Sequence, residues 1–170
     1  MKNTIKGDIT NLKVEAVVTA ANAELIGGGG VDGAIHNAAG PELLAECKGL
    51  GGCPTGEARL TKGYNLLSKY VIHTVGPIWN GGNDNEIELL KACYWNSLLL
   101  ALKHNIKSLA FPNISTGVYG MPKVEAAHVA IETITKFLNE VDSTMDITFV
   151  CYDDLNYKIY QELCPKFSIT

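Results

Sequence analysis

Two glycine-rich stretches of this chain have the make-up of anion-binding loops. Asn22 to Gly33 reads NAELIGGGGVDG, and Asn113 to Gly120 reads NISTGVYG. Each follows a short apolar run and precedes a segment of helical pattern, which sets a small-residue loop at a helix N-terminus. The first N–H groups of a helix lack partners there, and the helix dipole favours negative charge. Glycine lets the backbone approach a phosphate closely and adopt positive φ. One such loop is more often a turn than a site. Four consecutive glycines, Gly27 to Gly30, exceed what a turn needs and add unfolded-chain entropy. Two such loops at one sheet edge suit a ligand with more than one phosphate.

Asp32 stands at the start of the helix that follows the first loop. An aspartate in a first helical turn is favourable electrostatically, which is one reading. In the other, repulsion from a diphosphate and partial burial raise its pKa, as a general base requires. Asn22 either hydrogen-bonds ligand hydroxyls or organises the turn. Asp8, after Gly7, either caps a short helix at Ile9–Leu12 or accepts from an exocyclic amine. Tyr119 and Tyr152 either meet a ring or a sugar, or pack in the core.

Other chemistries are excluded or weak. Gly28, Gly30 and Gly33 satisfy a literal GxGxxG. The motif should follow its strand directly, and Ala23 to Ile26 intervene, with no acidic residue ending a second strand about 20 positions on. GxxxxGK[ST] and GxSxG are absent. His36, His73, His104 and His128 show no HExxH and no paired metal-ligand spacing, so no metal site and no cofactor is expected. His73 lies in an apolar strand and reads as a core histidine.

These residues need a scaffold, and the pattern supplies strands alternating with helices. Ala16–Ala20, Tyr70–Val75, Ser108–Phe111 and Asp146–Tyr152 are apolar, β-branched runs of buried-strand type. Thr4–Lys6 and Glu57–Gly63 are weaker strands. Helices are expected over Val31–Ala39, Pro41–Lys48, Glu86–His104, Pro122–Leu138 and Asp153–Leu163, with Pro41 suited to a first helical position. The alternation predicts an α/β/α sandwich. Two strands with no helix between them, in Glu57–Val75, predict a mixed sheet.

Composition bounds the rest. The 170 residues form one domain, 1–170, with 46% apolar and 19% charged residues, ordinary for a globular chain. Eleven of the 17 glycines fall between Gly27 and Gly63. The net charge is −4 and Arg59 is the only arginine, which argues against a basic groove tracking nucleic acid. Five cysteines without a CxxC pair read as free, mostly buried thiols of a reducing compartment. No secretory leader or membrane span is legible, so a soluble, cytoplasmic monomer is expected.

At this point the chain resembles the macrodomain family, most closely its MacroD-type branch. The matching segments are Gly7-Asp8-Ile9-Thr10, Ala20-Ala21-Asn22, GGGGVDGAIH from Gly27 to His36, Ala38 to Pro41 and Cys53 to Gly56. They continue with Val71 to Pro77, ISTGVYG from Ile114 to Gly120, and VCYDD from Val150 to Asp154. The resemblance implies a three-layer α/β/α sandwich on a mixed, mostly parallel six-stranded sheet, with ADP-ribose as ligand. It implies that Asp8 accepts from the adenine amino group beside the Ile9 backbone, with Tyr152 near the adenine. Gly30, Val31 and Asp32 would line the diphosphate and distal ribose, opposite Ser115, Thr116, Gly117, Val118 and Tyr119. Asn22 and Asp32 would meet the distal ribose, where MacroD-type enzymes cleave an ester. Thr19 stands where the family usually begins Asn-Ala-Ala-Asn, and Asn37 where Arg is common. Zinc-dependent relatives carry a cysteine near Val31–Asp32; this chain has none, which favours a metal-free mechanism.

The expected function is hydrolysis of ADP-ribosyl esters, O-acetyl-ADP-ribose or ADP-ribose on acidic side chains of proteins, with Asp32 activating water and Asn22 orienting the ribose. The alternative is a module that binds ADP-ribose without turnover. A weaker third reading is RNA-end or single-strand binding.

Overall fold

The computed structural model describes residues 2–141 and 143–167. Six strands form one sheet: β1 (Lys2–Lys6), β2 (Ala16–Ala20), β3 (Ala58–Lys62), β4 (Tyr70–Thr74), β5 (Ser108–Phe111) and β6 (Asp146–Cys151), in the order β1-β6-β5-β2-β4-β3. All neighbours are parallel except β3 and β4. That antiparallel pair is the stretch whose sequence has two strands and no helix between them.

The central strands are buried on both faces, which is why they read as unbroken apolar runs. Along β2, Val17 packs into one layer and Val18 into the other, as strand pleating requires. The Val17 layer is covered by α1 (Gly30–Ala39) and α2 (Pro41–Lys48), through Ile35, Leu43 and Cys47. The Val18 layer is covered by α3 (Glu86–Lys103), α4 (Lys123–Glu140) and α5 (Asp154–Leu163), through Leu90, Tyr94, Ile131, Phe137 and Tyr160. Pro41 takes the first turn of α2, as expected, whereas Pro122 is the residue capping α4 rather than part of it. Edge strand β1 extends back to Lys2, beyond the expected Thr4; its KNTIK sequence is too polar for hydrophobic patterning to mark its start.

This topology makes a crevice. The parallel strands all end at one edge of the sheet. From adjacent strands β2 and β5 the chain departs to opposite faces, into α1 and α4. The two outgoing loops therefore splay apart, and such switch points are where open α/β sheets take ligands.

Cys47, Cys53, Cys93 and Cys151 are buried free thiols, and Cys164 is half-buried. No helix among the described residues is long and apolar enough to cross a membrane.

Candidate functional site

The candidate ligand-contacting residues of the sequence lie at or just beyond the carboxyl edge of the parallel strands. Asp8 follows β1, Tyr152 follows β6, Ser115 to Tyr119 follow β5, and Asn22 and the glycine loop follow β2. With strands about 4.8 Å apart, the row from β1 to β2 spans roughly 14 Å. The arrangement is a trough with distinct ends rather than a single point.

At the β2 end, Asn22 and Asp32 converge. A methyl group placed on Gly28 would lie 3.6 Å from Asn22 Nδ2 and 3.8 Å from Asp32 Oδ2, so both side chains face one small space. Asn22 is held there by its own loop: Nδ2 donates to Gly27 O (2.8 Å) and Oδ1 accepts from Ile26 N (3.1 Å). The turn-organising reading of Asn22 is thus seen directly. Gly33 allows the loop to sit on α1, since a Cβ there would come 2.4 Å from Gly28 O. Gly29 caps α1 without a side chain, so no capping side chain bonds the amides of its first turn.

Asp32 is 4% exposed. Burial pushes its carboxyl above the ordinary value, partly opposed by a hydrogen bond from Thr19 and by His36. Thr19 Oγ1 donates to Oδ1 at 2.9 Å, and His36 Nε2 lies 3.7 Å from the same oxygen. The two carboxylate oxygens are therefore different: Oδ1 faces inward to protein groups, and Oδ2 faces the space above Gly28.

The opposite loop is more rigid than its composition indicates. Ser115 is buried with φ of 66°, an uncommon conformation for a non-glycine residue. Its hydroxyl turns inward and donates to Pro77 O at 2.8 Å, and Met121 N donates to Ser115 O at 2.9 Å. The loop rests on Gly76, where a Cβ would meet Ser115 Oγ at 2.4 Å and Ile114 Cγ2 at 2.6 Å. Thr116 is buried, while Gly117 and Val118 are exposed. Tyr119 is half-buried, and its carbonyl accepts from Trp79 N at 2.8 Å. Beside Asn22 and Tyr119 opens a cavity of about 340 Å³ lined also by Thr55, Pro77, Ile78 and Glu86. Burial alone would lift the Glu86 carboxyl. Amides of Asn80, Gly82 and Asp84 donate to it and hold it below its ordinary value, which fixes that wall.

At the β1 end, Asp8 is exposed and caps a 3-10 turn over Ile9–Asn11, its Oδ1 accepting from Thr10 N (2.9 Å) and Thr10 Oγ1 (2.7 Å). Ile9 is buried against the α1 layer, so only its backbone faces the edge. Tyr152 is 84% exposed, which removes the core-packing reading for it.

Four residues near the site carry features the sequence reading did not assign. His36 is four residues after Asp32, a spacing that puts both on one helix face and was legible in principle. Gly28 adjoins Asn22 only through the loop's path. In the sequence Thr19 shows only as a departure from a family pattern. Lys123, at the start of α4, sends Nζ to Thr116 O at 3.5 Å, a cation beside the second loop.

One donor atom each of His36, Cys47 and His73 lie within 4.8 Å of one another, the one such group among the described residues. They come from three separate elements, so sequence spacing does not show them. Burial pushes the Cys47 thiol up to about 11, and His73 Nε2 is already engaged by Thr61 Oγ1 at 2.9 Å. The three side chains form a packed polar seam beneath α1 and α2.

A mixed α/β/α sandwich that opens glycine-rich loops at its switch point is the architecture of a protein whose ligand sits beyond the strand ends. The chain belongs to the Macro domain family, whose model matches residues 18–130. It is 53% identical over 168 residues to a Citrobacter rodentium protein named O-acetyl-ADP-ribose deacetylase, covering 96% of this chain and 95% of that one. Among solved structures, an Oceanobacillus iheyensis macrodomain with ADP superposes with a TM-score of 0.91 at 47% identity, covering 96% of this chain and 89% of the other. A Trypanosoma brucei macrodomain in complex with ADP-ribose superposes with a TM-score of 0.90 at 44% identity, covering 95% and 68%.

Proposed function

We propose that this macrodomain hydrolyses ADP-ribosyl esters, O-acetyl-ADP-ribose or ADP-ribose esterified to acidic side chains of proteins. The observation that carries the reading is the convergence of Asn22 Nδ2 and Asp32 Oδ2 on one space above Gly28. The Citrobacter relative's name and the ADP-ribose-bound Trypanosoma structure support the same ligand class.

In this reading adenine lies at the β1–β6 end, with Asp8 Oδ2 accepting from its amino group and Tyr152 against the ring. The diphosphate crosses between the first-turn amides of α1 (Gly30, Val31, Asp32) and the loop Ser115–Tyr119. The distal ribose sits over Gly28. Water above Gly28 gives a proton to Asp32 Oδ2 as its oxygen attacks the ester carbonyl. The tetrahedral intermediate expels the ribose oxygen, which takes the proton back from Asp32 and leaves as a hydroxyl, with the acid as co-product. A carboxyl lifted by burial is suited to both transfers.

The second reading is a binding module without turnover. The observation that favours it is that both ends of the Asn22 amide are already engaged by its own loop. Acetate release from O-acetyl-ADP-ribose decides between the two. Asp32→Ala is expected to lower turnover by roughly 10²–10⁴ while ADP-ribose binding persists. Turnover by this variant at the parent rate would remove Asp32 as the base, and a parent that binds ADP-ribose without releasing acetate is a reader.

A further inference from the structure

We propose that Thr19 is a positioning residue for this hydrolysis: its hydroxyl ties down Oδ1 of Asp32 and thereby reserves Oδ2 for the reacting water. The inference rests on the ester-hydrolase reading and names a residue that touches no substrate.

The geometry is specific. Thr19 is fully buried near the end of β2, opposite His73 of β4 in the strand register. Its side chain points into the α1–α2 layer, which is otherwise packed with Val17, Val71, Ile35 and Leu43. A hydroxyl among these apolar groups needs a partner, and Thr19 Oγ1 donates to Asp32 Oδ1 at 2.9 Å. Threonine is β-branched, and on a strand its χ1 is restricted, so the donor direction is set by the sheet. Thr19 is fixed in the ladder between β2 and β4, whereas Asp32 sits in the first turn of α1, directly after the run Gly27 to Gly30. Thr19 thus ties the orientation of the carboxylate to the sheet.

The other groups around Asp32 do not duplicate this. From α1, His36 Nε2 is 3.7 Å away from Oδ1, beyond hydrogen-bond range. From α2, the Cys47 thiol stays protonated, its ionisation pushed up to about 11 by burial and by Asp32 itself. From β4, burial and His36 push the His73 ring down to about 3, so it is neutral. Thr19 is the single side chain donating a hydrogen bond to Asp32 among the described residues. A donor to the ionised carboxylate favours that form, so its removal lifts Asp32 further.

Two variants test this. Thr19→Val keeps shape and deletes the donor; Thr19→Ser keeps the donor and deletes a methyl group. Acetate release is followed from pH 5 to 9, with ADP affinity and thermal melting measured alongside. Thr19→Val is expected to lower kcat by about 10- to 100-fold and to move the acid limb of kcat/KM to higher pH, with ADP affinity unchanged. Thr19→Ser is expected to restore the parent's limb. A Thr19→Val profile superimposed on the parent's, or a Thr19→Ser variant as impaired as Thr19→Val, overturns the proposal. Carbon-13 NMR titration of the Asp32 carboxyl in ligand-free protein reads the interaction without turnover. Its midpoint should be higher in Thr19→Val than in the parent, and equal midpoints also overturn the proposal. A parent that releases no acetate removes the hydrolase reading, whereas the titration still decides whether Thr19 controls Asp32.

Discussion

Gly28→Ala adds one methyl group at the point where Asn22 and Asp32 converge. Its Cβ would lie 3.6 Å from Asn22 Nδ2 and 3.8 Å from Asp32 Oδ2, ordinary van der Waals distances. Gly28 does not need the left-handed backbone that Gly27 and Gly30 adopt, so alanine fits its conformation. The folded state therefore meets no clash, and the unfolded chain loses freedom, a gain of about 0.4–1 kcal/mol. The chemistry is affected in the opposite direction. A water donating to Oδ2 must sit about 2.8 Å from it, on the side that the new methyl group occupies. Loss of that water removes general-base catalysis, a factor of roughly 10²–10⁴ in turnover, or about 3–5 kcal/mol in the barrier. The measurement pairs acetate release with a thermal melt and with affinities for ADP and ADP-ribose. ADP lacks the distal ribose and should bind as to the parent, whereas ADP-ribose should bind more weakly. A variant that turns over within about threefold of the parent would show that the reacting water does not lie over Gly28, and the proposed placement of the ester would be wrong.

Two further predictions follow from buried titratable groups. Asp32 is lifted by burial, so its ionised form costs the fold stability. Asp32→Asn, which can still accept from Thr19, should melt higher than the parent near pH 8, and the difference should shrink as the pH falls toward the unfolded-state value and the parent's carboxyl is protonated in both states. His73 behaves oppositely: burial and then His36 push it from 6.5 to about 3, so the unfolded chain takes up a proton that the fold refuses. Stability should fall as pH drops below about 6.5, with up to about 1.4 kcal/mol per pH unit coming from this one group. His73→Gln keeps a partner for Thr61 and should flatten that part of the profile; denaturant melts at pH 7, 6 and 5 giving the same slope in both proteins would assign the acid sensitivity elsewhere.

The fold was largely legible because its central strands are buried on both faces. AVVTA, YVIHT and SLAF carry runs of adjacent apolar residues rather than a strict apolar–polar alternation, and that pattern marks strands covered by helices on either side. The start of β1 was not legible, since KNTIK at the sheet edge has no such run. At the site, the glycine loops were legible because their composition serves no ordinary packing need. The environment of Asp32 was not. Its donor Thr19, its neighbour His36 and the His73 ring beside that histidine come from β2, α1 and β4, and only the i,i+4 spacing to His36 leaves a local trace.

The polar seam under α1 and α2 has a physical logic that joins these points. A net charge of −4 with one arginine leaves few side-chain cations for a diphosphate. Uncapped helix amides and glycine backbone can do that binding, and they place no fixed counter-charge beside Asp32. The carboxylate is then free to be tuned from below, where Thr19 donates to Oδ1 and His36 lies 3.7 Å from it. A lysine or arginine in the glycine loop would bind phosphate more strongly, but it would also pull the Asp32 carboxyl down and weaken it as a base. Gly29→Lys, at a position with extended backbone and open space for a side chain, is therefore expected to raise ADP affinity while lowering turnover of the ester. An increase in both would show that Asp32 is not limited by its basicity.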